Sequence, residues 1–215
     1  RDEVVLRVLE QARAIVGSNT HQMRSSTRNK WALEILLAQV ETEVADQLLI
    51  SGSSRVQLAE AMHAPIPLPV RATMARQALA LAAAASTRLQ AVMTESRDDR
   101  EEQWEAIACL TLLRSQLKRF GLFDMIGAPE DDESGRRTLL QRTAAMAEKL
   151  SLQFATSDHR ALAFQARRLQ GEAFAMLGDE AGLATIRHDL ERLSRQLGLR
   201  SDATRIIGPF PRNNE

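Results

Sequence analysis

Apolar residues recur every three to four positions along almost the whole chain, which is the pattern of amphipathic helices. In the first segment, Val5, Val8 and Leu9 share one face, and Gly17 follows as a predicted helix stop. The same pattern predicts a helix over about 28–51, which Gly52 ends, and a short helix after Ser54. Further helices are predicted over about 70–93, about 98–119 with Gly121 as a stop, about 136–154, about 158–177 and about 180–197.

No segment shows the alternating pattern of a strand that is long enough to pair, so the sequence predicts an all-α fold. The alternating prolines of the segment PIPLP, residues 65–69, predict an extended linker. This divides the chain into N-terminal helices (1–64), a linker (65–69), a region of helical hairpins (70–197) and an extended tail (198–215). One continuous domain over 1–197 is the alternative.

The stretch from Leu169 to Leu193 contains a predicted turn between two antiparallel helices. Gly171 lies mid-helix, where a missing side chain lets a neighbouring helix approach, and Phe174 covers the same face. Gly178 suits the left-handed residue that ends a helix, and Asp179 suits the cap of the next one.

The residues Gly171, Phe174, Gly178, Asp179 and Leu183 resemble the consensus of a tetratricopeptide repeat. The pattern departs from that family at Arg167, where an aromatic residue is usual, and at Gln170 and Leu183. The resemblance implies helical hairpins that stack as an array, similar to the repeat arms of bacterial regulators. An irregular helical bundle is the alternative architecture.

Composition excludes several functions for this chain. The formal net charge is zero, so no overall attraction draws the chain to nucleic acid or to anionic membranes. A single cysteine, Cys109, excludes an internal disulfide and a cysteine-based metal cage. The opening residues lack the pattern of a signal peptide, and no segment has the length and hydropathy of a membrane span. We therefore expect a cytoplasmic protein.

Sequence motifs for catalysis are missing, which predicts a non-catalytic protein without a metal or a cofactor. The chain has no phosphate-binding loop, no dinucleotide fingerprint and no paired histidines at zinc-binding spacing. Arg136, Arg137 and Arg142 would supply one basic helix face, but no helix-turn-helix pattern or stacking aromatics accompany them. Direct nucleic-acid binding is therefore disfavoured.

The sequence favours a protein–protein interaction module, with a regulatory or scaffolding role, that binds a peptide or partner protein in a helical groove. Helix phase places four candidate partner-binding residues on the helix over 158–177: Arg160, Arg167, Arg168 and Glu172. The alternative is a helical small-molecule sensor, whose pocket would form where four large side chains converge: Trp31, Met93, Trp104 and Phe120. Self-association is a further hypothesis, because an uncapped array end exposes apolar surface.

Overall fold

A computed structural model describes residues 2–22, 26–61, 68–126, 133–157 and 159–199, and every regular element in these ranges is an α-helix. The helices are α1 (Asp2–Gln22), α2 (Thr27–Ala61), α3 (Leu68–Asp98), α4 (Glu102–Ile126), α5 (Glu133–Thr156), α6 (Arg160–Leu177) and α7 (Glu180–Leu197). The prediction of an all-α fold is confirmed. The chain forms two compact units, residues 1–126 and residues 127–215.

In the first unit, α2, α3 and α4 pack against one another, and α1 packs on α2. One core cluster joins α2, α3 and α4, and its largest member is Trp31, which is 1% exposed. A second cluster joins α1 to α2 and α3 through Leu9, Leu48 and Ala78. Residues 65–69, predicted as a linker between domains, therefore fall within this unit, between two helices that pack together.

A buried carboxylate links three helices of the first unit. Glu41 of α2 is fully buried and accepts hydrogen bonds from Arg13 of α1 at 2.9 Å and from Arg88 of α3 at 3.1 Å. Arg88 also reaches Glu34 at 2.8 Å. Burial opposes the charge of Arg88, but the hydrogen bond to Glu34 and the charge of Glu41 outweigh it and raise the pKa of Arg88. The two arginines thus satisfy both oxygens of a charge that water cannot reach.

In the second unit, α6 is the central helix, with α5 packed against it on one side and α7 on another. The face of α5 toward α6 is apolar at helical spacing, with Leu140, Ala147 and Phe154 buried. The contact between α6 and α7 is built on Phe164 and Leu190, together with neighbouring apolar side chains. The two helix pairs are consecutive hairpins that share α6.

The turn between α6 and α7 has the geometry that the sequence pattern predicted. Gly178 has a φ of 70°, and its N–H and that of Asp179 donate to carbonyl groups in the last turn of α6. Asp179 then caps α7, because its Oδ1 accepts a hydrogen bond from the N–H of Gly182 at 2.9 Å. Two residues therefore suffice to reverse the chain.

Gly182 is the glycine at which the two helices approach most closely among those whose surroundings are described. A Cβ at this position would lie 2.8 Å from Oδ2 of Asp179 and 2.9 Å from Cδ2 of Phe174. Such distances are too short for any side chain, so the ring of Phe174 needs a glycine opposite it. The sequence pattern assigned the close approach to Gly171, which is buried in α6.

Three predicted helix stops are wrong. The helix α1 continues past Gly17 to Gln22, α2 runs through Gly52, and α4 runs through Gly121. A glycine permits the left-handed conformation but does not impose it, and its cost inside a helix is only about 1 kcal/mol. The backbone hydrogen bonds of the continuing helix offset this cost.

The boundary between α3 and α4 also differs from the prediction, which started a helix at about residue 98. The helix α3 continues to Asp98, and Arg100 ends it in the left-handed conformation, with a φ of 60°. Leu68 and Pro69, predicted to be extended, are already the first residues of α3, where a proline is tolerated because it needs no helical N–H partner. Residues 65–67 and most of the predicted tail, residues 200–215, lie outside the described ranges.

We predict that Gly182→Ala destabilises the protein, although alanine is the better helix former. The added methyl group meets Phe174 and the capping carboxylate of Asp179, and overpacking of this kind costs about 1 to 3 kcal/mol. Urea unfolding followed by circular dichroism measures the change. The matched control is Gly135→Ala on α5, where a Cβ meets nothing within 4 Å and alanine should stabilise the helix. Equal stabilisation by both variants would contradict the close approach.

We also predict that Glu41→Gln lowers the free energy of unfolding by about 2 kcal/mol, because it removes the buried negative charge that accepts hydrogen bonds from Arg13 and Arg88. The control is Glu43→Gln on the same helix, whose carboxylate is 60% exposed and pairs with Lys118 at 2.7 Å. Exposed pairs of this kind contribute below about 1 kcal/mol. The two variants are compared by thermal and urea unfolding, and equal losses would refute the special role of Glu41.

Candidate functional site

An open groove of about 460 Å³ lies between α5 and α6 in the second unit. We call it the α5–α6 groove, and the side chains that form it are Arg137, Gln141, Ala144, Ala145, Glu148, Gln170, Phe174, Leu177 and Asp179, with Gly178 at its end. Its volume falls in the range of ordinary ligand sites. A second depression in this unit, beside Arg160, is larger but more open, so the α5–α6 groove is the stronger candidate of the two.

Helix geometry explains why these residues share one groove. Arg137, Gln141 and Glu148 recur at helical spacing along one flank of α5, beside the face that packs on α6. Gln170, Phe174 and Leu177 do the same along α6. Because the two helices are antiparallel, Arg137 lies at the end with Leu177, and Glu148 lies at the end with Gln170. The groove thus has an apolar floor and a polar residue near each end.

Two donor groups of the groove have no acceptor among the described residues. Arg137 is exposed and forms no ion pair with them. Gln170 is 3% exposed, and its Oε1 accepts a hydrogen bond from Nη1 of Arg167 at 2.8 Å. The side-chain NH₂ of Gln170 makes no hydrogen bond with the described part of the chain. Both groups are therefore available to oxygen atoms of a ligand.

Arg167 supports the groove rather than offering its own charge. Its guanidinium group donates to Asp189 of α7 through Nε at 3.0 Å and through Nη2, and it lies 3.8 Å from Glu148 of α5. Asp189 also accepts from Arg192 at 3.0 Å. With 18% of its side chain exposed, Arg167 is occupied by partners from all three helices of the unit. It holds the amide of Gln170 in place.

The structure does not gather the four predicted partner-binding residues into one site. Arg168 and Glu172 form an ion pair along α6 at 3.3 Å and are not among the groove residues. Arg160 lines a different, shallower depression of about 660 Å³ where the start of α6 meets the end of α7. Arg167 alone lies beside the groove, through its bond to Gln170.

Of the four residues predicted to form an aromatic pocket, three meet in the core of the first unit. Trp31 and Trp104 lie 6.4 Å apart between ring centroids, and Met93 packs against the same cluster. Phe120 lies two turns beyond Leu112, the last α4 residue of this cluster, or about 12 Å along the helix. Nε1 of Trp31 donates to Glu95 at 3.1 Å. These contacts give the first three residues a packing role, and the pocket stays a prediction.

The sequence pattern missed Gln141 and Glu148 and assigned Arg137 to a different surface. It placed Arg137 and Arg142 on one basic face, but they are five residues apart and so point about 140° away from each other around α5. A usable signal was the spacing of Arg137, Gln141 and Glu148, which repeats at helical period beside the apolar stripe. This spacing could not be interpreted as one side of a groove from the sequence alone, because the sequence does not show that α6 packs against α5.

The fold and the site together define an all-helical protein built from packed helices, with a groove between the helices of one hairpin. Comparison with protein families, with curated proteins and with solved structures finds no match for this chain. None of the helices in the described ranges is long and apolar enough to span a membrane. The same residues contain no group of three or more metal-ligating side chains that could share an ion.

We predict an acid-induced change in the fluorescence of Trp31 that depends on Glu95. The hydrogen bond from Lys30, chiefly, and that from Trp31 lower the pKa of Glu95 from its ordinary 4.5, against the opposing effect of burial. A carboxyl group with a lowered pKa in the folded state stabilises that state above pH 4.5, and this stabilisation is lost as the pH falls through the lowered value. Protonation then removes the negative charge of the group that accepts from Nε1 and weakens this hydrogen bond.

The titration is followed by tryptophan emission in a Trp104→Phe background, which leaves Trp31 as the reporter. The emission change below pH 4.5 should disappear in Glu95→Gln and persist in Glu43→Gln. Glu43 is a suitable control, because Lys118 lowers its pKa in the same way but far from the tryptophan. An unchanged acid step in Glu95→Gln would contradict the assignment.

Proposed function

We propose that this chain is a non-catalytic protein–protein interaction module that binds a short extended peptide segment of a partner protein in the α5–α6 groove. The observation that carries the proposal is the combination of an apolar floor with two unoccupied hydrogen-bond donors, on Arg137 and Gln170. The resemblance of the α6–α7 turn to a tetratricopeptide repeat supports a regulatory or scaffolding role in a bacterial cytoplasm.

The shape and chemistry of the groove suit a peptide. Phe174 and Leu177 are partly buried and form an apolar floor with Ala144, which accommodates one apolar side chain of a ligand. The exposed Arg137 and Gln141 flank this floor on α5, where a peptide backbone or a carboxylate would meet them. A peptide therefore finds both burial and polar partners within one groove.

The donor of Gln170 is preorganised for binding. Arg167 fixes Oε1 of this amide, and Arg167 is itself fixed by Asp189, so the NH₂ group has one orientation before any ligand arrives. A rigid donor loses little conformational entropy on binding. Phe174 is equally constrained, because it packs against the core between α6 and α7 and lies opposite Gly182. These constraints favour a specific ligand over nonspecific adhesion.

The test is a selection from a random peptide library displayed on phage, with the full chain as bait. A selected peptide is then titrated against the chain by fluorescence anisotropy. We expect Arg137→Ala to raise the Kd about tenfold, through loss of one charge-assisted hydrogen bond. The control is Arg187→Ala, which removes an exposed arginine of α7 that has no partner in the described residues and should leave the Kd within about twofold.

Two results would overturn the proposal. One is a selection that enriches no peptide, and the other is a set of peptides whose affinity is the same for the wild type and for Arg137→Ala. If a small metabolite instead protects the amide hydrogens of the groove from exchange, the chain is a sensor rather than a peptide-binding module.

A further inference from the structure

A second exposed surface lies on α5, away from the groove. Three of the large hydrophobic side chains that are exposed in the described residues belong to this helix: Leu139 at 42%, Met146 at 40% and Leu152 at 62%. Leu139 and Met146, together with Arg142 and Lys149, lie within about 80° of one another around the helix and follow one another by three or four positions, whereas Leu152 lies about 120° from Met146, on the flank of Gln141 and Ala145. We call Leu139, Arg142, Met146 and Lys149 the α5 stripe.

The α5 stripe is not the face with which α5 packs on its neighbour. The buried face of α5, which contains Leu140, Ala147 and Phe154, contacts α6. Leu139 and Met146 lie on the flank opposite to that of Arg137 and the groove. The stripe and the groove are therefore independent surfaces of one helix.

The charges of the α5 stripe are positive and unpaired. Arg142 and Lys149 are exposed, and neither has an acidic partner in the part of the chain that the structure describes. The nearby Glu148 lies on the groove flank, beside Arg167. An apolar line with two free cations and no acid is complementary to an apolar line that carries carboxylates.

The spacing of the α5 stripe matches a helix rather than an extended chain. Leu139 and Met146 are seven residues apart, as are Arg142 and Lys149, and a repeat of seven is the spacing at which two helices keep a common seam. The same arrangement disfavours a second copy of this chain. In an antiparallel two-fold pair centred beside Met146, Arg142 of one copy would face Lys149 of the other, and like charges would repel.

We propose that the α5 stripe docks an acidic amphipathic helix of a partner protein. The apolar residues of that helix pack on Leu139 and Met146, and its Asp or Glu side chains pair with Arg142 and Lys149. The contact uses one face of one helix, so it belongs to the small, transient class of interfaces. This surface goes beyond the peptide groove and does not depend on it.

The test uses two synthetic helical peptides of three heptads, both with leucine at the seam positions. One carries glutamate beside the seam, and its partner carries lysine at the same positions. The full chain is titrated with each, by fluorescence anisotropy, at low and high salt. We expect the glutamate peptide to bind at least about fivefold more tightly at low salt, with the difference shrinking at high salt.

Charge reversal on the protein distinguishes the stripe from nonspecific binding. The double variant Arg142→Glu, Lys149→Glu should invert the preference, so that the lysine peptide binds more tightly. Arg187→Glu on α7 is the matched control and should leave the order unchanged. Arg137→Ala should also leave it unchanged, which separates a failure of this proposal from a failure of the groove.

Three outcomes would overturn the proposal: equal affinity for both peptides, an order that the double variant does not change, and concentration-dependent dimerisation that the double variant abolishes. The last outcome would assign the stripe to a second copy of the chain. Binding to vesicles that contain phosphatidylserine, with no preference between the peptides, would assign it to an anionic lipid surface instead.

Discussion

The contact between Phe174 and Gly182 constrains how α7 packs on α6 in the second unit. The ring of Phe174 occupies the space that a side chain at position 182 would need. The helix α7 can therefore approach α6 this closely only where α7 carries a glycine. The same ring forms part of the floor of the α5–α6 groove. One aromatic residue therefore contributes both to the packing of α7 on α6 and to the groove, so a shift of its ring would change both.

Arginine plays three different roles in this protein, and the partners of each side chain distinguish them. Arg13 and Arg88 neutralise the buried carboxylate of Glu41 and join α1, α2 and α3. Arg167 satisfies acceptors from its own unit and keeps Gln170 oriented. Arg137 is exposed and lacks such partners, so its charge is available to a ligand. The guanidinium groups that look similar in the sequence thus differ in function because of what surrounds them.

The sequence predicted those features that depend on neighbours along the chain. The helical period identified an all-α fold, and Gly178 and Asp179 were predicted correctly because a left-handed residue and a capping carboxylate act within one turn. Features that depend on distant residues were missed. The continuation of α2 through Gly52 is one example. The internal role of Arg167 is another, because its partners Glu148 and Asp189 come from two other helices.

The order of helices in the second unit gives Arg167 one more property. The helices α5 and α7 both pack on α6, and Arg167 is where a carboxylate from each meets the same guanidinium group. A ligand that draws Glu148 away from Arg167 would leave a larger share of the positive charge of Arg167 to Asp189. A ligand at α5 would thereby affect α7 through competition of two anions for a single cation.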